Sequence, residues 1–337
     1  MDERYSRQIL FAPIGESGQR KLADSSVCIV GMGALGTVLA NHMVRAGIGS
    51  VRLVDRDFVE RSNLQRQMLY EEADAEQGIP KAIAARDKLA RVNSSVRIEA
   101  IVADATARNV EALLEGADLV LDGTDNFRTR FLLNDACFKH GIPFVYGGAV
   151  SSRGMSAVLV PGETPCLRCF MSEGDAGGQT CDTIGVIAPI VDIVASYQAI
   201  EALKLLVGDS AARRRSLISL DVWHNQIFEM NLGEPVPSCP CCGEKRYPAL
   251  EETSQDEMLS LCGRESVQIA AGRAFDLGEW ERRLAPAATK TKRNEYLLRV
   301  ELLEGERLVL FPEGRILVQG TDDFARAKSL YSRYIGD

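Results

Sequence analysis

"SVCIVGMGALGTVLANHMVRAGIGSVRLVD", residues 26–55, is the stretch whose reading decides the fold. It opens as an apolar strand, turns on Gly31, Gly33 and Gly36, continues in a helical pattern that stops at Gly47, and ends in a second strand tipped by Asp55. Glycines in the spacing G-x-G-x-x-G let the backbone approach a phosphate at a helix N-terminus. The carboxylate nineteen residues past the last glycine can accept hydrogen bonds from ribose hydroxyls. A nucleotide site is expected, and the motif taken alone would suit a nicotinamide or flavin dehydrogenase.

Outward from that unit, "PKAIAARDKLARVN" and "TRFLLNDACFKHG" read as helices, and "SVRIEAIVAD", "ADLVLDGTDN" and "PFVYGGAV" as strands. Strands alternating with helices predict an α/β fold, a Rossmann-like doubly wound and mostly parallel sheet. From about residue 152 antiparallel strands continue it: hairpin-like "RGMSAVLVPG", then, past a Cys-containing stretch and a long buried helix ending at Gly208, a single strand "LISLDVWHNQIFEMNL". The polar run 249–257, "ALEETSQDE", is read as a linker between a main domain, 1–248, and a small α+β domain, 258–337, of order β-α-β-β-β-α and unassigned role.

The 337 residues suffice for two such domains, and 46% hydrophobic with 26% charged residues is the balance of a folded globular protein. A net charge of −8 argues against nucleic acid as the main partner. The N-terminus has no signal-like apolar segment and no stretch is long enough to span a membrane, so a cytoplasmic location is expected. Three scattered histidines give no basis for a Ser-His-Asp triad.

The residues after Asp55 shift the expected ligand from a dinucleotide to a triphosphate. Arg66 and Lys81 are cationic donors for a polyphosphate, and Asn63 and Gln67 can hydrogen-bond phosphate or sugar oxygens. Asp125 follows the fourth strand at the edge where such sheets bind ligands, and suits Mg²⁺, which takes one or two carboxylates beside substrate phosphates.

In their joint order, "RYSRQ" (4–8), "GMGALG" (31–36), "VDRDFVERSNLQRQ" (54–67), "PKA" (80–82), "DGTDNFRTR" (122–130), "GVIAP" (185–189) and "QAIEALK" (198–204) resemble the ThiF/MoeB/HesA family, bacterial relatives of ubiquitin-activating enzymes, over about residues 1–248. The resemblance implies an adenylyltransferase. Asp55 would hold the ribose of ATP, Asn63, Arg66 and Lys81 the triphosphate, and Asp125 Mg²⁺. Arg7 would reach into a partner protomer's ATP site, so a homodimer is expected. The substrate would be the C-terminal Gly-Gly carboxylate of a ubiquitin-like sulfur carrier of thiamin or molybdopterin biosynthesis, with a cysteine desulfurase or another sulfur donor as further partner. That carboxylate is ionised at pH 7, so the reaction needs positioning and charge neutralisation rather than a general base. Cys181, in "GGQTCDTIGVIAP", falls where relatives carry a cysteine of acyl-transfer chemistry. A bystander thiol is the alternative.

Two C-x-x-C pairs, Cys166/Cys169 and Cys239/Cys242, provide four thiolates for a closed, structural Zn²⁺ site, with Cys241 as a rival fourth ligand. Cys28 and Cys137 sit in apolar patterns and are read as core. Three other functions stand as alternatives: adenylation of a different carboxylate, on a peptide or a tRNA base, NAD-dependent oxidation and reduction, and a non-catalytic scaffold that keeps the fold.

Overall fold

A computed structural model describes residues 3–171, 184–251, 258–261 and 266–336. The chain divides into two compact units, Met1–Glu252 and Thr253–Asp337.

The first unit is built on an eight-stranded sheet in the order β3-β2-β1-β4-β5-β6-β7-β8. The strands are β1 (Ser26–Val30), β2 (Ser50–Asp55), β3 (Arg97–Val102), β4 (Leu119–Asp122), β5 (Phe144–Val150), β6 (Arg153–Leu159), β7 (Ser216–Asp221) and β8 (Gln226–Asn231). The first five pair in parallel and the last three antiparallel, as the alternation of strands and helices predicts. β1, buried along nearly its whole length, is an unbroken apolar run, as a strand covered on both faces must be. The helices Ala34–Ala46 and Ala188–Val207 bury one face of the sheet, and Phe127–His140 contributes to the core on the other.

The strand order reverses between β1 and β4, which leaves a crevice at their carboxyl ends. The glycines there are demanded by packing. Gly31 has a φ of +91°, and a Cβ on Gly36 would lie 1.8 Å from the Gly31 carbonyl oxygen. Gly36→Ala therefore has to push the helix off the strand, and it is expected to lower stability by about 2–3 kcal/mol. A urea melt checks this, and a loss under about 0.5 kcal/mol would mean that the turn yields freely.

The stretch expected as one strand, 217–232, is a hairpin. Asp221 accepts hydrogen bonds from the backbone N–H groups of Trp223 and His224, and Asn225 takes a left-handed φ of 55°, so the chain reverses between β7 and β8. The four-residue Pro248–Glu251 helix is tied to the first unit by the Ala249 N–H, 2.9 Å from Asp135 Oδ2.

The second unit is a six-stranded sheet in the order β11-β12-β13-β14-β10-β9, carrying the helices Leu277–Leu284 and Phe324–Tyr334. Its strands are β9 (Met258–Leu261), β10 (Ser266–Ala270), β11 (Ala288–Arg293), β12 (Leu298–Leu302), β13 (Arg307–Leu310) and β14 (Arg315–Gln319). β9 and β11 go beyond the expected element order. β11 reads "ATKTKR", an edge strand with no buried residue, so it lacks the apolar alternation that marks a strand in sequence.

Candidate active site

The crevice collects groups from four segments. Asp55, at the tip of β2, accepts the Met32 N–H at 2.6 Å on Oδ2 and the Asp57 N–H at 2.6 Å on Oδ1. It thereby holds the glycine loop and the chain after β2 in one geometry. Burial pushes the Asp55 carboxyl above the usual carboxylate range, and Lys81 opposes that shift.

Lys81 is 2% exposed, its Nζ 3.4 Å from Asp57 Oδ2, and it begins the helix Lys81–Val92. A lysine at a helix N-terminus opposes the helix dipole, and burial adds a desolvation cost. A residue that violates two local rules is expected where function requires it. Gln67, 3% exposed, has its amide nitrogen nearest to where a Cβ on Gly33 would stand, and its Oε1 has no hydrogen-bond partner among the described residues. Buried Asn63 has its Oδ1 engaged by the Glu60 N–H, and Arg66, half-buried, reaches the Ser62 carbonyl at 3.0 Å. Asp125 is exposed in the loop between β4 and the Phe127–His140 helix.

Arg7 lies elsewhere. It is exposed, and its neighbour Gln8 bonds to the Ala46 carbonyl at 2.9 Å, at the C-terminal end of the helix whose N-terminus faces the crevice. A helix of that length puts the anchor about 20 Å along the axis from the glycine loop. Cys181 lies outside the described residues.

Several supporting residues escaped the sequence reading. The Tyr70 hydroxyl is 2.7 Å from the Met32 carbonyl and 3.1 Å from that of Lys81, linking the glycine loop to the lysine helix. Asp122, Arg130 and Gln198 form a buried polar group beneath the Asp125 loop. Asp122 and Arg130 stand at the two ends of the family-like stretch "DGTDNFRTR", and that place is the signal the sequence offered for them.

The Phe127–His140 helix also reaches the cysteines. The Sγ atoms of Cys166, Cys169, Cys239 and Cys242 all lie within 4.8 Å of one another, with Cys166 to Cys239 at 3.5 Å and Cys169 to Cys242 at 3.3 Å. Four sulfurs about 2.3 Å from a tetrahedral Zn²⁺ stand about 3.8 Å apart, so the cluster fits that ion with no open coordination position. Cys241 is outside this quartet and accepts from Asn134 Nδ2 at 3.4 Å. Asn134 Oδ1 also accepts the Leu167 N–H at 2.8 Å, so one side chain touches both knuckles. Asp135 grips Arg168 through both oxygens, at 2.8 and 3.0 Å. Cys28 and Cys137 are fully buried, as expected of core thiols, and burial raises both. Among the described residues no helix is long and apolar enough to cross a membrane.

Against this geometry, the ThiF family matches residues 5–241. A Bacillus subtilis protein named sulfur carrier protein ThiS adenylyltransferase is 45% identical, covering 100% of both chains. The Escherichia coli molybdopterin-synthase adenylyltransferase is 39% identical over 72% of this chain and 96% of its own. Among solved structures, Escherichia coli MccB superposes with a TM-score of 0.63 at 26% identity, covering 71% of this chain and 72% of that one.

Proposed function

This chain belongs to the ThiF family, and on that premise we propose that it adenylates the C-terminal glycine carboxylate of a ubiquitin-like sulfur carrier, using ATP and releasing pyrophosphate. The observation that carries the reading is the convergence of the glycine loop, Asp55, buried Lys81 and the Asp125 loop on one crevice, with the Gln67 oxygen unpartnered among the described residues. The relatives' adenylyltransferase names favour this over a nicotinamide reaction.

The carrier carboxylate attacks the α-phosphorus, a carboxyl oxygen–phosphorus bond forms, and the bond to pyrophosphate breaks. Asp55 orients the ribose. Asn63, Arg66, Gln67 and Lys81 hold the phosphates, and the glycine-loop amides at the N-terminus of Ala34–Ala46 neutralise charge. Asp125 would hold Mg²⁺, which would supply further positive charge as pyrophosphate leaves. Arg7, anchored far from its own crevice, supports a homodimer in which it completes the partner's site. The four cysteines would hold a structural zinc, and Cys181 would accept the activated acyl group if a covalent step follows. The full-length likeness to the ThiS adenylyltransferase favours a carrier of thiamin biosynthesis, charged with sulfur by a separate donor protein.

The carrier would dock on β8, the sheet edge, where Ile227, Phe228 and Met230 are each at least half exposed and Trp223 is 74% exposed. Five strand spacings separate β8 from β1 in the sheet order, about 24 Å, which an extended tail of about seven residues spans. Phe228→Asp is expected to raise the carrier KM about tenfold and leave ATP binding unchanged. An unchanged carrier KM would remove β8 from the account.

Exchange of labelled pyrophosphate into ATP, with and without each Gly-Gly-ended carrier of the same genome, tests the reaction. Exchange dependent on one carrier supports it. Zinc-loaded protein that binds ATP and exchanges with none would redirect the search to another carboxylate.

A further inference from the structure

The loop that carries Asp125 is clamped from beneath by one side chain. Asp122 ends β4 with no exposure, and Arg130, 6% exposed, sits one turn into the Phe127–His140 helix. Arg130 donates from Nε to Asp122 Oδ2 at 3.1 Å, and from Nη2 to the Thr124 carbonyl at 2.8 Å and the Gly147 carbonyl at 3.2 Å. Its guanidinium stands 5.1 Å from the Phe127 ring centroid and 5.4 Å from that of Tyr146.

The other contacts close the same frame. Thr124 donates to Asp122 Oδ1 from its backbone nitrogen at 2.9 Å and its hydroxyl at 2.6 Å. Asn126 caps the helix by accepting the Thr129 N–H at 2.9 Å. Gln198 Nε2 donates to the Asp122 carbonyl at 2.9 Å and to the Val145 carbonyl at 3.1 Å, which fixes the strand end against the Ala188–Val207 helix. The backbone is thus held on both sides of Asp125, which is itself exposed just past the end of β4.

A buried Arg–Asp pair is weak evidence for stability, because apolar residues of similar volume often do as well. What it provides is direction. The planar fork reaches two backbone carbonyls and a carboxylate at once, and a lysine ammonium cannot reproduce that geometry.

We propose that Arg130 is a positioning residue for the reaction: it sets the place and aim of the Asp125 carboxylate by tying the Thr124 carbonyl to Asp122 and β5. The inference rests on the assignment of Asp125 to Mg²⁺ made above, and it needs no contact between Arg130 and ATP or metal. A loosened loop lowers the effective concentration of the carboxylate at the metal without removing it.

The test is the Mg²⁺ dependence of carrier-dependent pyrophosphate exchange in Arg130→Lys, Thr124→Val and Asp125→Asn, with ATP binding measured without added magnesium. Arg130→Lys should raise the Mg²⁺ concentration for half-maximal exchange about tenfold, at unchanged magnesium-free ATP affinity and zinc content. Thr124→Val, which deletes only the hydroxyl bond to Asp122, should raise it about threefold. Asp125→Asn should remove the saturable Mg²⁺ response. If Asp125→Asn keeps the original requirement, the Mg²⁺ assignment fails and the inference falls with it. If Asp125→Asn loses that requirement while both other variants, folded, keep the original half-saturation, the positioning role is overturned and the assignment stands. Should Arg130→Lys not fold, Thr124→Val decides by the same criterion.

Discussion

Lys81→Met is expected to reduce carrier-dependent pyrophosphate exchange by at least about a hundredfold, the loss typical of one preorganised group facing developing charge. Stability at neutral pH should fall as well, because Lys81 is the cation beside the Asp55 and Asp57 carboxylates and its loss withdraws that compensation from a buried site. Exchange lost from a variant that still melts cooperatively and keeps its zinc separates the functional role of the lysine from the structural one. The change also has a pH signature. Burial already raises the Asp55 carboxyl, and Lys81 is the main charge opposing that shift. Without the lysine the ionised form is harder to reach, so the acid limb of ATP binding should move to higher pH. Calorimetric titrations of both proteins across the acid range check this. An unmoved acid limb would mean that Asp55 and Lys81 do not share one site.

Removal of zinc is the second large effect. The knuckle at Cys166–Cys169 follows β6, and its mate at Cys239–Cys242 follows β8, so the ion would join segments far apart in the chain. Binding at a closed four-thiolate site is folding free energy. Cys239→Ser, or treatment with a strong chelator, should therefore lower the melting temperature by about 10 °C or more. The purified chain should carry about one zinc per protomer by elemental analysis. The loss should extend past the knuckles, since Asn134 and Asp135, which brace them, share a helix with Arg130. A metal-free protein that melts at the original temperature would make the cysteine cluster incidental.

These expectations draw unequally on the sequence. The strand, glycine turn, helix and strand of residues 26–55 were legible because each piece has a local cause: a buried apolar run, a backbone approach that excludes a Cβ, and helical spacing of apolar side chains. The cysteine quartet was legible because C-x-x-C spacing makes a knuckle whatever the fold around it. The β7–β8 reversal was not, since its turn depends on Asp221 side-chain bonds and a left-handed Asn225 rather than on Gly or Pro. β11 was hidden by its polarity, the mark of an exposed edge. Tyr70, Asp122, Arg130 and Gln198 were out of reach for a further reason. Their importance lies in carbonyls supplied by other segments, and no spacing along the chain records those distances.

The central claim concerns one covalent product, and the intact mass of the carrier tests it most directly. The zinc-loaded chain, ATP, Mg²⁺ and the Gly-Gly-ended carrier are mixed without any sulfur donor, quenched in acid and weighed. An AMP adduct on the carrier's C-terminal glycine, absent when that residue is deleted and when Lys81 is methionine, is the predicted result. Unmodified carrier from a mixture in which ATP is consumed would contradict the account.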